Sequence, residues 1–164
     1  MIDLLESKGC QACIKWPNDI IVNDHKIAGL LIENQVKGDK VEYAIAGIGL
    51  NVNQVHFHNY SWPATSLKLE RATPLSFDRE LLLEELMDKL KRRMLEAEQD
   101  ASNVMHNLNE HLYKRGEMVW LMKNEGAIQG IIREVTADGQ LLLREKEGLK
   151  AYSNGEITLT NTFD

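Results

Sequence analysis

The chain has 164 residues, enough for one compact domain with a small appendage. Apolar residues make up 43% of it and charged ones 27%, and the formal net charge is −6. That balance argues against nucleic acid or an anionic membrane as a bulk-charge partner, and no apolar run approaches the roughly 18–20 residues needed to span a bilayer.

Residues 1–8 read as the last turns of a helix that Gly9 stops. Its apolar face of Ile2, Leu4 and Leu5 is too short to stand alone, so it reads as the tail of a longer element. The segment has no basic leader, and no signal peptide is expected. Cys10 and Cys13 form the one CxxC in the sequence. No second CxxC or zinc-spaced histidine pair completes it, so structural, reduced thiols and a cytoplasmic location are expected; metal or redox use is the alternative.

Residues 12–16 and 20–22 read as strands, with Pro17-Asn18-Asp19 turning between them and Asn23-Asp24-His25 forming a second turn. Residues 26–34 and 40–51 pair as a hairpin closed by Gly38-Asp39. Residues 54–75 are a long loop, with a short helix expected over 65–70. Ser76 is expected to cap the next helix, with Asp78 in its first turn. Leu83, Leu86, Met87, Leu90 and Met94 fall on one face of that helix, and Val104, Leu108 and Leu112 on one face of another; both stripes are expected to pack as core rather than to bind a partner. After Gly116 the texture changes. Five short strands within about 45 residues, punctuated by Gly126, Gly139, Gly148 and Gly155, predict a small barrel of SH3-like type. The expected division is residues 1–115 and 116–164.

The chemistry concentrates in Lys15-Trp16-Pro17-Asn18-Asp19 and, seven residues on, Lys26-Ile27-Ala28-Gly29. Two lysines, a carboxylate, an amide and a glycine thus fall close together on adjacent strand ends, where polar groups commonly serve a ligand. Gly29 and Gly47 would let a ligand approach the backbone; a bulge is the plainer explanation. Lys26 could equally be a solvated lysine after a turn, and Trp16 reads as core.

Four segments together resemble the biotin protein ligases: the KWPND of 15–19, the KIAG of 26–29, the GIGLNVN of 47–53 and the ATSL of 64–67. The resemblance covers essentially the whole chain. It implies an α+β fold, a partial class II synthetase-like mixed sheet with helices followed by the SH3-like barrel. It also implies ATP-dependent activation of biotin to biotinyl-5′-AMP, with Mg²⁺ accompanying ATP, and transfer to a lysine of a biotin carboxyl carrier protein. Lys26 would meet the biotin carboxyl and the phosphate, and Asp19 the incoming amine. Gly29, Gly47 and Gly49 would lie beneath biotin, while Lys15, Asn18, Asn51 and Trp62 would face the nucleotide. No metal-ligating residue is implied. Nothing matches the family's GRGRRGR-type loop, which lies upstream of KWPND. The chain therefore reads as the C-terminal half of a catalytic domain plus the barrel, impaired by itself and prone to form dimers or swapped assemblies. A non-catalytic module binding a ligase or carrier protein, and a lipoate ligase relative, are the alternatives.

Overall fold

A helix, α1 (Ile2–Ser7), packs Leu4 and Leu5 inward and ends at Lys8, with Gly9 beyond it at φ +76°. That left-handed position suits glycine. The computed structural model describes residues 1–58, 62–123 and 126–160. Part of the long loop (59–61) and residues 124–125 and 161–164 of the expected barrel lie outside that set.

The first sheet is antiparallel and follows chain order: β1 (Ala12–Lys15), β2 (Asp19–Val22), β3 (His25–Lys37) and β4 (Lys40–Leu50). The unbroken apolar run of β2 reflects burial on both faces. Ile20 and Val22 join the core formed with Leu4, Leu5, Ile27 and Leu67, while Ile21 faces Trp62 and Tyr113. β3 and β4 outrun their neighbours and continue as a two-stranded ribbon. Its apolar side chains are exposed, Leu31 to 61% and Ile45 to 59%.

Three helices follow: α2 (Leu67–Glu70), α3 (Arg79–Gln99) and α4 (Ala101–Glu110). Asp78 rather than Ser76 caps α3, its Oδ1 accepting from the amides of Glu80 and Leu81. Of the apolar stripe expected to be core, Leu86 is buried, but Leu83, Met87, Leu90 and Met94 are exposed; Leu82, outside that stripe, is the other buried residue of this helix. Two stripes at helical spacing overlap on α3, and α1 selects between them. The Arg93 guanidinium, in line with Leu82 and Leu86, donates twice to the Asp3 carboxylate at 2.8 and 2.5 Å.

The second sheet comprises β5 (Met118–Lys123), β6 (Gly126–Val135), β7 (Leu141–Glu145), β8 (Gly148–Tyr152) and β9 (Ile157–Leu159), antiparallel in the order β8-β7-β6-β5-β9. Inward residues alternate, as Val119 and Leu121 or Leu141 and Leu143 do. Among the described residues β8 and β9 remain edges, so the sheet is open where a closed barrel was expected. Its core also takes Leu112 and partly buried Trp16, Met105 and Leu108. Trp16 Nε1 donates to the Gly139 carbonyl at 2.9 Å, and the Asn109 amide pairs both ways with the Val135 backbone.

Candidate active site

The strand pairing brings the charged residues together. Asp19 begins β2 and pairs across to Gly29 of β3, which pairs in turn with Gly49 of β4. Gly47 lies opposite Leu31, two positions along. Because side chains alternate along strands, Asp19, Gly29, Gly47 and Gly49 share one face, and three of the four carry no side chain. A Cβ on Gly47 would meet the Leu31 carbonyl oxygen at 3.7 Å and Leu31 Cβ at 3.9 Å, and one on Gly49 the Gly29 carbonyl oxygen at 3.8 Å, all ordinary distances. The glycines therefore keep this floor flat, a surface a planar ligand can lie on.

At the edge of the floor the Asp19 carboxylate accepts from two ammoniums, Lys26 Nζ at 2.5 Å on Oδ1 and Lys15 Nζ at 3.3 Å on Oδ2. Lys15 is buried and Lys26 partly exposed, their side chains 9% and 40% accessible. Two positive charges against one negative leave a net positive site. An ammonium has three donors, so Lys26 keeps donor capacity for an anion while Asp19 holds it in place.

A bulge puts Lys26 there. Ile20 pairs with Ala28, but Ile21 pairs with Lys26, so Ile27 is the extra residue. In regular alternation Lys26 would share the face of buried Ala28. The added residue turns it to the face of Gly29, where a Cβ would stand only 3.3 Å from Lys26 Cε and Nζ. Bulges re-aim side chains in this way. The bulge lies at Ile27 and serves the lysine, whereas Gly29 and Gly47, where the sequence offered a bulge as the plainer explanation, sit in regular pairing.

The other expected residues are placed as follows. Asn18 donates through Nδ2 to the Leu30 carbonyl at 2.8 Å and accepts at its own carbonyl from the Leu30 amide, fixing the turn after the cis Trp16–Pro17 bond. Asn51 follows β4; its amide donates to the Ile27 carbonyl and its carbonyl accepts from the Leu67 amide. Trp62 is buried, 9% exposed, its ring edge-to-face with Tyr113 at 6.1 Å and the Lys15 ammonium 4.5 Å from its ring centre. It sits beside the lysine as packing, not as an open platform. Asn53 pairs reciprocally with the Phe77 backbone at 2.8 Å, an anchor of the long loop that sequence reading did not single out.

Both thiols are free, and burial pushes each above the ordinary cysteine range. That is the reverse of what a reactive thiolate needs. Among the described residues no group of three or more His, Cys, Asp or Glu side chains could hold a metal. No helix among them is long and apolar enough to cross a membrane.

Residues 3–51, which contain Lys15, Asp19, Lys26 and the glycine floor, match the model of the biotin/lipoate A/B protein ligase family. The chain resembles biotin protein ligases along nearly its whole length. The bifunctional ligase/repressor BirA of Bacillus subtilis is 30% identical over 161 residues, covering 94% of this chain and 48% of that protein. The biotin–[acetyl-CoA-carboxylase] ligase of Paracoccus denitrificans is 26% identical over 149 residues, covering 88% of this chain and 61% of its own. The biotin protein ligase of Aquifex aeolicus, solved in complex with biotin and ATP, superposes with a TM-score of 0.76 at 27% identity, covering 97% of this chain and 66% of that one. Its apo form gives 0.77 and covers 97% and 69%. The chain spans about half the length of the BirA relatives it matches.

Proposed function

We propose that the chain carries the acyl-adenylate site of a biotin protein ligase, binding biotin and ATP as substrates. The observation that carries this reading is the Asp19 carboxylate holding two ammoniums at the rim of a glycine floor. In the first step a biotin carboxylate oxygen attacks the α-phosphorus of ATP and pyrophosphate leaves. Both reactants are anionic, so a fixed cation between them lowers the barrier. Lys26 supplies that cation, touching the carboxyl and the phosphate, and Gly29, Gly47 and Gly49 seat the bicyclic ring. Lys15, Asn18 and Asn51 lie toward the nucleotide, and Mg²⁺ enters with ATP. In the second step the amine of a carrier-protein lysine attacks the acyl carbon, AMP leaves, and Asp19 stands near the incoming amine.

We assign residues 116–164 to an SH3-like domain following residues 1–115, a reading supported by the strand order β8-β7-β6-β5-β9, in which the last strand lies beside the first. The exposed β3–β4 ribbon favours association with a second copy. A cytoplasmic location fits the free thiols. The 164 residues contain no glycine- and arginine-rich segment of GRGRRGR type, so the chain by itself should turn over slowly.

Calorimetry with biotinyl-5′-AMP tests the site. Binding is expected, with Lys26→Ala weakening it at least about tenfold; no binding by the unaltered chain sinks the proposal. Biotinyl-AMP formation from biotin and ATP should be slow, and rapid turnover would remove the impairment from the reading. The matching family includes lipoate ligases, and competition between biotin and lipoate separates the two substrates.

A further inference from the structure

The bulge that aims Lys26 has its own support, beside Ile21 on the face that also carries Asp19. Asn23 and Asp24, immediately before β3, both sit at positive φ, 49° and 61°. Neither is glycine, so this backbone carries a cost that its surroundings must offset. Trp62 Nε1 donates to the Asp24 carbonyl at 3.1 Å, and the Tyr113 hydroxyl donates to Asp24 Oδ1 at 2.5 Å. Asn23 Nδ2 donates to Glu70 Oε2 at 2.6 Å, while Glu70 Oε1 accepts from Thr65 Oγ1 at 2.6 Å. Lys26 itself is held by its backbone, its amide donating to the Pro63 carbonyl at 2.7 Å and its carbonyl accepting from the Thr65 amide at 2.9 Å.

Tyr113 comes from the connection between α4 and the second sheet. That connection is stitched to β1: the Ile14 amide donates to the His111 carbonyl at 2.7 Å, and the Tyr113 amide to the Ile14 carbonyl at 2.9 Å. Trp62 meets Lys15 directly, its ring beneath the ammonium, and reaches Lys26 only through its N–H on the preceding turn.

We infer that Tyr113 and Trp62 are positioning residues: by clamping Asp24 they hold the Asn23–Asp24 turn and the bulge that turns Lys26 onto the face of Asp19 and Gly29. The clamp is geometric and touches no substrate. Releasing it lets the 23–27 segment relax toward regular alternation, which carries the Lys26 ammonium away from the floor. The effect on adenylate binding rests on the ligase reading above; the effect on Lys26 does not.

The test is nuclear magnetic resonance on the 164-residue chain together with calorimetry. Tyr113→Phe removes one hydroxyl, and Trp62→Phe removes one N–H donor while keeping an aromatic ring. Tyr152→Phe, which loses a matching hydroxyl bond to Glu145 in the second sheet, is the control. The clamp predicts that the Lys26 Hε–Gly29 Hα cross-peak falls by about half or more in the first two variants and stays in the third. It also predicts about tenfold weaker binding of biotinyl-5′-AMP by Tyr113→Phe, the order of loss seen when a supporting hydrogen bond behind a ligating group is removed. An unaltered cross-peak in both clamp variants, or an equal loss in Tyr152→Phe, overturns the inference. So does unaltered affinity in Tyr113→Phe when the parent chain binds. If the parent chain binds no adenylate, the ligase reading fails and the cross-peak alone decides the clamp.

Discussion

Asp19 is the shared partner of two cations, and Lys15, with 9% of its side chain accessible, has little water to fall back on. Removing the carboxylate strands a buried charge, a change that typically costs more than the intact pair contributes. Asp19→Ala should therefore lower stability by about 3 kcal/mol in urea unfolding, and Lys15→Met in the same chain should recover much of the loss. At Tyr113, burial first and the Asp24 carboxylate second push the phenol above its ordinary value of 10.0. A group held protonated by the fold contributes stability that is complete below the unfolded value and is lost as pH rises through the folded one. Alkaline titration of unfolding free energy should show a decline beginning above about pH 10 that is smaller in Tyr113→Phe. The charged residues of the site are visible in the sequence because their types and spacing are local. The clamp is not: Asp24, Trp62 and Tyr113 lie far apart in the chain, and no local pattern marks a tyrosine aimed at a turn 89 residues away.

Elements followed local signals where those signals were unopposed. The helix over the first residues, the hairpin at Gly38-Asp39 and the period-2 strands of the second sheet all stand where turn chemistry and alternation put them. The α3 cap shifted to Asp78, whose carboxylate accepts two amides, and Asp78→Ala should cost about 1 kcal/mol by thermal unfolding. The buried face of α3 could not be read from periodicity alone, because two stripes fit and the Asp3–Arg93 pair decides between them. The Arg93 hydrogen bonds hold the Asp3 carboxyl below its ordinary value of 3.8. A depressed carboxyl contributes stability that is present above the unfolded value and lost as pH falls through the folded one. Acid unfolding should thus be displaced to higher pH in Arg93→Met, read by far-ultraviolet circular dichroism between pH 5 and 2, on the order of the usual carboxylate window.

Across the whole molecule, the two sheets meet through apolar contacts, Trp16 against the second core and Leu159 beside Ile21, and α4 adds specific bonds to the second sheet. The Asn109 amide satisfies both the N–H and the C=O of buried Val135, at 2.7 and 3.0 Å. Asn109→Ala leaves both unpaired, and a loss of about 2 kcal/mol is expected, with faster amide exchange in β6 and β7 than in β2. The ribbon of β3 and β4 presents Val41 and Ile45 to solvent at 57% and 59%. If it joins copies of the chain, Val41→Lys with Ile45→Lys should lower the mass measured by light scattering at micromolar concentration. The sequence by itself determined the order and type of most elements and the residue types of the site, because capping, turn chemistry, alternation and motif spacing act over a few residues. Only the tertiary structure decided which helix face is buried, that the second sheet stays open among the described residues, that Trp62 packs rather than stands free, and that a bulge turns Lys26 to Asp19. Each of those depends on which distant surface arrives opposite a given side chain, and that is a property of the assembled sheets.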